Sequence, residues 1–385
     1  MSYDIYLSPP YMAGNERNYV KDAFDTNWIA PQGPHIKAFE KEVATYIDVN
    51  SSLALVSGTA AIHLALRYLG VQAGDYVFCQ DFTFIGTCNP ILYEKAIPVF
   101  IDSEEDTWNM SPLALENAFV WAKKNGIMPK AVIICDIYGE PADWDKLLPI
   151  CRQYEVPVIE DAAEAMGSVY KGKKCGSFGD ISILSFNGNK IITTSGGGMV
   201  LSSNKAAIAK MQFWSTQARE SVAWYEHKEV GYNYRMSNIC AAIGRGQLEI
   251  LPQKLHRRLA IHKAYQKAIK GLPLYIKDDP EGGSNHWLNI LCIRDKSISP
   301  EHIVASLKRA KIESRPSWKP MHMQPLFSNT TYVTQGDVFF IGKDAIGSDD
   351  SISEVIFDHS LCLPSGDALT PEQIEWIVFE IRSCL

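Results

Sequence analysis

Between residues 52 and 168, short apolar runs alternate with stretches whose apolar positions recur every three or four residues. "SLALV" precedes "TAAIHLALRYLG", "DYVFC" precedes "FIGTCNPILYEK", "IPVFI" precedes "SPLALENAFVWAKK", and "KAVIICDIYG" precedes "ADWDKLLPICRQY", before a last run in "VPVIEDAAEA". A run too short for a helix, followed by a 3.6-residue pattern, predicts a strand feeding a helix. Repetition of that unit predicts an α/β fold with a doubly wound, mainly parallel sheet, in which ligands sit at the carboxyl ends of strands.

From Pro252 the pattern changes to the cationic helical stretch "KLHRRLAIHKAYQKAIK" and then to mixed, turn-rich sequence. This predicts a large domain over residues 1–250, with an N-terminal segment free to pack on its neighbour, and a small C-terminal domain over 251–385. The stretch "FSNTTYVTQGDVFFIGKDAIGSDDS" reads as irregular surface, and no internal repeat is evident.

A chain of 385 residues suits two domains, and a composition 46% apolar and 21% charged is that of an ordinary globular protein. The net charge of −7 gives no electrostatic footprint for nucleic acid, so none is expected as a partner. The nine cysteines are scattered singly with no C-x-x-C pair, which predicts no metal cluster and suits a reducing, cytoplasmic setting. Neither a leader of basic then apolar residues nor a long apolar span occurs, so no membrane partner is expected.

Three strand ends could carry chemistry. In "VSGTAAIHLAL" a strand meets Ser57-Gly58-Thr59 and an amphipathic helix, whose free first-turn amides suit a phosphate; Thr59 is equally a plain N-cap. In "VPVIEDAAEAMGS" the strand delivers Glu160-Asp161 to the sheet edge, either as a helix-capping acid or beside a flat ligand admitted by Ala162 and Ala163. In "SFNGNKIITTSGGGM" Lys190 follows Asn187-Gly188, a hairpin dipeptide, and precedes three glycines; it is either a solvated turn lysine or a nucleophile. Together these ends offer an amine, an acid and a phosphate cradle, the groups that pyridoxal phosphate requires.

The stretches "SGTAAIHLALR", "DFTFIGT", "PVIEDAAEAMGS", "GDISILSFNGNKIITTSGGGM", "STQARE", "GYNYRMSNICAAIG" and "CLPSG" resemble, in order and spacing, the sugar-nucleotide aminotransferases of the DegT/DnrJ/EryC1/StrS family. The resemblance implies a fold-type-I, aspartate-aminotransferase-like architecture and a homodimer with shared active sites. It implies that Lys190 forms the Schiff base with pyridoxal phosphate and that Asp161 pairs with the pyridine nitrogen. Phe84 and Ala163 would cover the two faces of the ring; Gly58, Thr59, Ala60 and Ser185 would hold the phosphate, joined by Asn233 of the neighbouring subunit. Many relatives carry glutamine or histidine at Glu164; a glutamate there is either protonated or a contact for the incoming substrate. Lysine at 190, where some relatives have histidine and dehydrate deoxysugars, argues against that chemistry.

"NWIAPQG" and "SRPSWKPMH" look most like the branch that aminates carbon 4 of a UDP-linked 2-acetamido-4-keto-6-deoxy sugar. That likeness places Trp28, Ile29 and Ala30 at the sugar, and Arg315, Trp318, Lys319 and His322 at the nucleotide, although a linker and a basic surface loop account for the same residues. The implied reaction is a ping-pong transamination from L-glutamate through pyridoxamine phosphate. GDP-perosamine or dTDP-sugar synthesis is the alternative acceptor chemistry, and a non-catalytic regulator keeping the fold is the alternative class.

Overall fold

The computed structural model describes residues 2–279, 282–295, 297–336, 338–340 and 351–385. Five predicted strands form where the apolar runs stand: β1 (Ser51–Leu55), β2 (Tyr76–Gln80), β3 (Ile97–Ile101), β4 (Ala131–Cys135) and β5 (Val158–Asp161). A two-residue-per-strand ribbon, β6 (Val169–Tyr170) and β7 (Lys173–Lys174), precedes β8 (Ile181–Ser185) and β9 (Gly198–Ser202). The later strands are β10 (Leu274–Ile276), β11 (Asn289–Ile293), β12 (Arg315–Pro316), β13 (Thr331–Val333), β14 (Val338–Phe340) and β15 (Ser360–Leu363).

The large sheet has the order β1-β9-β8-β5-β4-β2-β3-β13-β14. Seven of these strands point one way, while β9 and β14 run antiparallel to their neighbours. Apolar residues of β2, β4 and β5 are buried on both faces, which is why those strands read as unbroken apolar runs rather than as alternation. Helices Gly58–Tyr68, Ile85–Tyr93, Pro112–Asn125 and Trp144–Gln153 return the chain between parallel strands.

A second sheet, β10-β11-β15-β12, is antiparallel throughout and packs under helices Leu251–Ala268, Pro300–Arg309 and Pro371–Arg382. Residues near the N-terminus run along this sheet: Ile5 bridges Ile312, and the Leu7 N–H donates to Glu313 Oε2 at 2.9 Å.

Two expectations need correcting. The stretch from Phe327 is not irregular surface: β13 pairs in parallel with β3, and Tyr332 and Val333 are fully buried, so part of the C-terminal region belongs to the large sheet. Positions 337 and 341–350 of that stretch lie outside the described residues. Nor is Asn187-Gly188 a tight hairpin: β8 and β9 pair from Ser185 to Gly198, so residues 186–197 form a long loop, and Lys190 stands within it.

Candidate active site

Four of the parallel strands end at one cavity of about 310 Å³. Asp161 ends β5, Ser185 ends β8, Cys135 ends β4, and the turn after β2 carries Thr83 and Phe84. The cavity brings together Gly58, Thr59, Phe84, Asp161, Ala163, Glu164, Ser185, Lys190 and Trp318. These come from five chain segments and are the predicted cofactor residues, less Ala60 and Asn233, with Trp318 added.

Asp161 is buried, and its charge is held by directed hydrogen bonds. Oδ1 accepts the Ala163 N–H at 3.1 Å, and Oδ2 accepts the Thr87 hydroxyl at 2.7 Å. Thr87 has one hydroxyl hydrogen and gives it to Asp161, so the 2.8 Å contact between Thr83 and Thr87 is donated by Thr83. The Cys135 thiol, 3.0 Å from Thr83 Oγ1, then donates to Thr83. Burial pushes the Asp161 carboxyl up, and Thr87, Ala163 and Lys190 oppose that rise by favouring the anion.

Lys190 reaches across from its loop. Its Nζ donates to Glu164 Oε1 at 3.0 Å and lies 4.0 Å from the centre of the Trp287 ring. Glu164 Oε2 accepts the Tyr138 N–H at 2.8 Å, a contact made possible by Tyr138 adopting a left-handed backbone (φ 54°). Burial raises the Glu164 carboxyl, and the Lys190 ammonium counteracts it.

The phosphate end is built at the start of helix Gly58–Tyr68. Ser57, not Thr59, is the N-cap: its hydroxyl accepts the Ala60 N–H at 3.0 Å. The Ala60 N–H, a predicted phosphate donor, is engaged by that hydroxyl here, while the first-turn amides of Gly58 and Thr59 have no intrahelical acceptor. Backbone proximity is tight here. A Cβ on Gly198 would stand 2.3 Å from Gly58 N, and one on Gly86 would stand 3.0 Å from Thr59 Oγ1 and 3.1 Å from Phe84 Cδ1. An acid at one end, free helix amides at the other, an amine at the side and a floor kept clear by glycine fit pyridoxal phosphate.

Other predicted residues fall elsewhere. Asn233 bridges Thr216 on the protein's flank, outside this cavity. Trp28 lines a different cavity with Pro31, Gln32 and Arg235, and Ile29 and Ala30 are exposed beside it, so within one chain this segment does not meet Lys190. Arg315 borders an adjoining cavity of about 430 Å³ that shares Phe84, Trp287 and Trp318 with the first, and its guanidinium pairs with Glu313 at 2.9 Å. Lys319 lines neither of these two cavities.

His322 is not a substrate ligand, because both ring nitrogens are engaged in the interior. Nδ1 lies 2.7 Å from Asp81 Oδ2 and Nε2 lies 3.0 Å from Glu354 Oε1. Burial works against its charge, but the two carboxylates overcome it and raise its pKa to about 10. Sequence reasoning missed Thr83, Thr87, Tyr138 and Trp287. The threonines were within reach, since both lie in "DFTFIGT" at the carboxyl end of a predicted strand; Trp287 had no such signal.

The model of the DegT/DnrJ/EryC1/StrS aminotransferase family matches residues 10–382. The chain belongs to that family. It is 50% identical over 375 residues to the protein EpsN of Bacillus subtilis (strain 168), covering 97% of this chain and 94% of that one. It is 37% identical over 324 residues to a GDP-perosamine synthase of Escherichia coli O157:H7, covering 84% and 87% of the two chains. A UDP-4-amino-4,6-dideoxy-N-acetyl-beta-L-altrosamine transaminase of Campylobacter jejuni is 33% identical over 296 residues, 75% of this chain and 77% of the relative. Among solved structures, Spr1654 from Streptococcus pneumoniae in its pyridoxamine phosphate form superposes with a TM-score of 0.87 at 26% identity, covering 99% and 98% of the chains. The family uses pyridoxal phosphate, and this protein is a pyridoxal-phosphate-dependent sugar aminotransferase with the large parallel-sheet fold of its relatives.

Proposed function

We propose that the protein transfers the amino group of L-glutamate to the C4 ketone of a nucleotide-linked 4-keto-6-deoxy sugar, preferring a UDP-linked 2-acetamido sugar. The observation that carries this reading is the convergence of Asp161, at the end of β5, and Lys190, from the loop after β8, on one cavity that adjoins a second large enough for more substrate. Pyridoxal phosphate, when bound, supplies an electron sink for the carbon that loses a proton.

The chain's own residues supply the rest. Asp161 would pair with the ring nitrogen, and the Cys135–Thr83–Thr87 chain favours its anionic form by directing the Thr87 hydroxyl hydrogen to it. The amine of Lys190 would hold the cofactor's aldehyde carbon and, when free, would be the base that moves a proton at its Nζ. The amides of Gly58 and Thr59 and the hydroxyl of Ser185 hold the phosphate, while Phe84 and Ala163 confine the ring. Asn233 serves the phosphate of a neighbouring subunit in a homodimer, which accords with its place outside its own cavity.

The likeness of "NWIAPQG" and "RPSWKPMH" to the UDP-acetamido-sugar branch supports the acceptor named, as does the UDP-linked N-acetyl 4-amino sugar in the Campylobacter relative's name, the kind of product that amination of such a ketone gives. The 37% identity to a GDP-perosamine synthase favours a second reading, a GDP-linked 4-keto sugar lacking the acetamido group. Comparing kcat/KM for UDP-, GDP- and dTDP-linked 4-keto-6-deoxy sugars with L-glutamate decides between them. A site built to pair the acetamido group should favour the UDP sugar by at least ~100-fold, the cost of a polar group left unpaired. A GDP or dTDP sugar turned over equally well sinks that choice and leaves the transaminase reading standing.

A further inference from the structure

His322 lies in the interior between two carboxylates, away from both cavities, yet Asp81, Thr83 and Thr87 link it to the cofactor's acid. Its backbone N–H donates to Asp81 Oδ1 at 2.8 Å while its Nδ1 holds Oδ2 at 2.7 Å, so the Asp81 carboxylate is gripped at both oxygens and cannot rotate. The Met321 N–H donates to the Asp81 carbonyl at 3.0 Å, and the ring of His322 stacks on Tyr332 of β13 at 3.9 Å. Asp81 begins the turn that carries Thr83 and Phe84, and its carbonyl also accepts the Thr83 N–H at 3.0 Å. From Thr83 the hydroxyl chain runs through Thr87 to Asp161, each hydroxyl directing its single hydrogen that way.

We propose that His322 is a positioning residue for the cofactor site: through Asp81 it fixes the turn 81–84, and so the Thr83–Thr87–Asp161 chain and the side chain of Phe84. The same grip joins that turn to the segment bearing Trp318, whose ring lies 5.4 Å from that of Phe84. This role depends on the cofactor cavity and is independent of which sugar is accepted.

Two conservative substitutions separate the two sides of the ring. His322→Asn places an N–H where Nδ1 stands and keeps the side-chain contact with Asp81 Oδ2; His322→Gln places one where Nε2 stands, keeps the Glu354 contact and leaves the Asp81 carboxylate held only by the backbone N–H at Oδ1. Titrating each apoenzyme with pyridoxal phosphate should give a Kd raised about tenfold for His322→Gln and changed by less than about threefold for His322→Asn, with the visible circular dichroism of the bound cofactor altered only in the former. The KM for the nucleotide sugar should stay within about twofold in both, while kcat falls in His322→Gln. Equal cofactor affinity in the two variants overturns the proposal, because a role in packing alone would lower their melting temperatures without separating them. A raised sugar KM with unchanged cofactor affinity also overturns it. Thr83→Val cuts the chain downstream of Asp81 without exposing a charge; weakened cofactor binding there supports the proposal, and unchanged binding overturns it whether or not the histidine variants fold.

Discussion

The Lys190 ammonium stands 3.0 Å from Glu164 Oε1, and the two side chains are only 11% and 7% exposed. The lysine favours the anion of Glu164 against the burial that opposes it. Lys190→Ala should abolish both the visible absorbance of covalently attached cofactor and turnover, since an imine needs a primary amine at that point. It should also strand Glu164, whose pKa burial already raises. An acid whose folded pKa lies above its unfolded value loses stabilising effect as pH rises. The melting deficit of the Lys190→Ala apoprotein should therefore grow from pH 5 to pH 8 and vanish from that interval when Glu164→Gln is added. A deficit independent of pH would refute the pairing, and full turnover would refute the lysine's role.

Gly198 lets β9 lie against the first turn of the phosphate-binding helix. A methyl group there would stand 2.3 Å from both Gly58 N and Ser57 C, a separation that only backbone movement can relieve. Gly198→Ala should therefore weaken pyridoxal phosphate binding by about tenfold or more through displacement of the Gly58 and Thr59 amides. Equilibrium titration of the apoprotein checks this, with Gly196→Ala as the control, since a Cβ at Gly196 meets nothing within 4 Å. Equal affinity in the two variants would count against the close approach.

Glu140 is buried, its Oε1 has no hydrogen-bond partner among the described residues, and burial lifts its pKa to about 8. Because the folded pKa exceeds the unfolded one, the protonated acid is at ease below the ordinary glutamate range, and stability is lost as pH climbs through about 8. Glu140→Gln, which stays neutral, should melt above the wild type at pH 9, with the gap closing toward pH 5. Each tenfold change in proton affinity between the folded and unfolded chain is worth about 1.4 kcal/mol, so the effect at pH 9 should reach a few kcal/mol. A gap that does not change with pH would remove the carboxyl from the explanation.

If Asn233 serves the neighbouring subunit, a heterodimer of Lys190→Ala and Asn233→Ala chains has one site carrying both lesions and one carrying neither. Purified mixed dimers should recover up to about half of wild-type activity although each parent dimer is impaired. Verified heterodimers no more active than their parents would show that the sites are not composite.

The five early strands were legible because a strand buried on both faces must be apolar throughout, and the rule that ligands gather at strand ends pointed to the stretches around Gly58, Asp161 and Lys190, while the family resemblance supplied the other candidates. Pairing was not legible. Nothing in the short run "TYV" tells that Thr331 faces Val99 in β3, and Asn187-Gly188 looks like a hairpin wherever it occurs, because a local dipeptide cannot reveal that the partner strand waits until Gly198. His322 failed for the same reason. Beside Arg315 and Lys319 it looks like part of a cationic surface, and the acid that claims it, Asp81, is 241 residues away in sequence. Glu164 lay between these cases: its place in the site was readable, but its partner Lys190 was identified only by the fold.

The late return of the chain to the large sheet also bears on how the protein can be divided. A fragment ending near residue 250 would keep every large-sheet residue that lines the candidate cofactor cavity, yet it would strip β13 from β3. The freed edge, "IPVFI", would then present unpaired backbone along an apolar strand, the kind of template on which chains pair with one another. Such a truncation invites aggregation, and any version of the chain cut down to its cofactor domain has to carry the 331–340 strand pair with it, by circular permutation or co-expression, to close that edge.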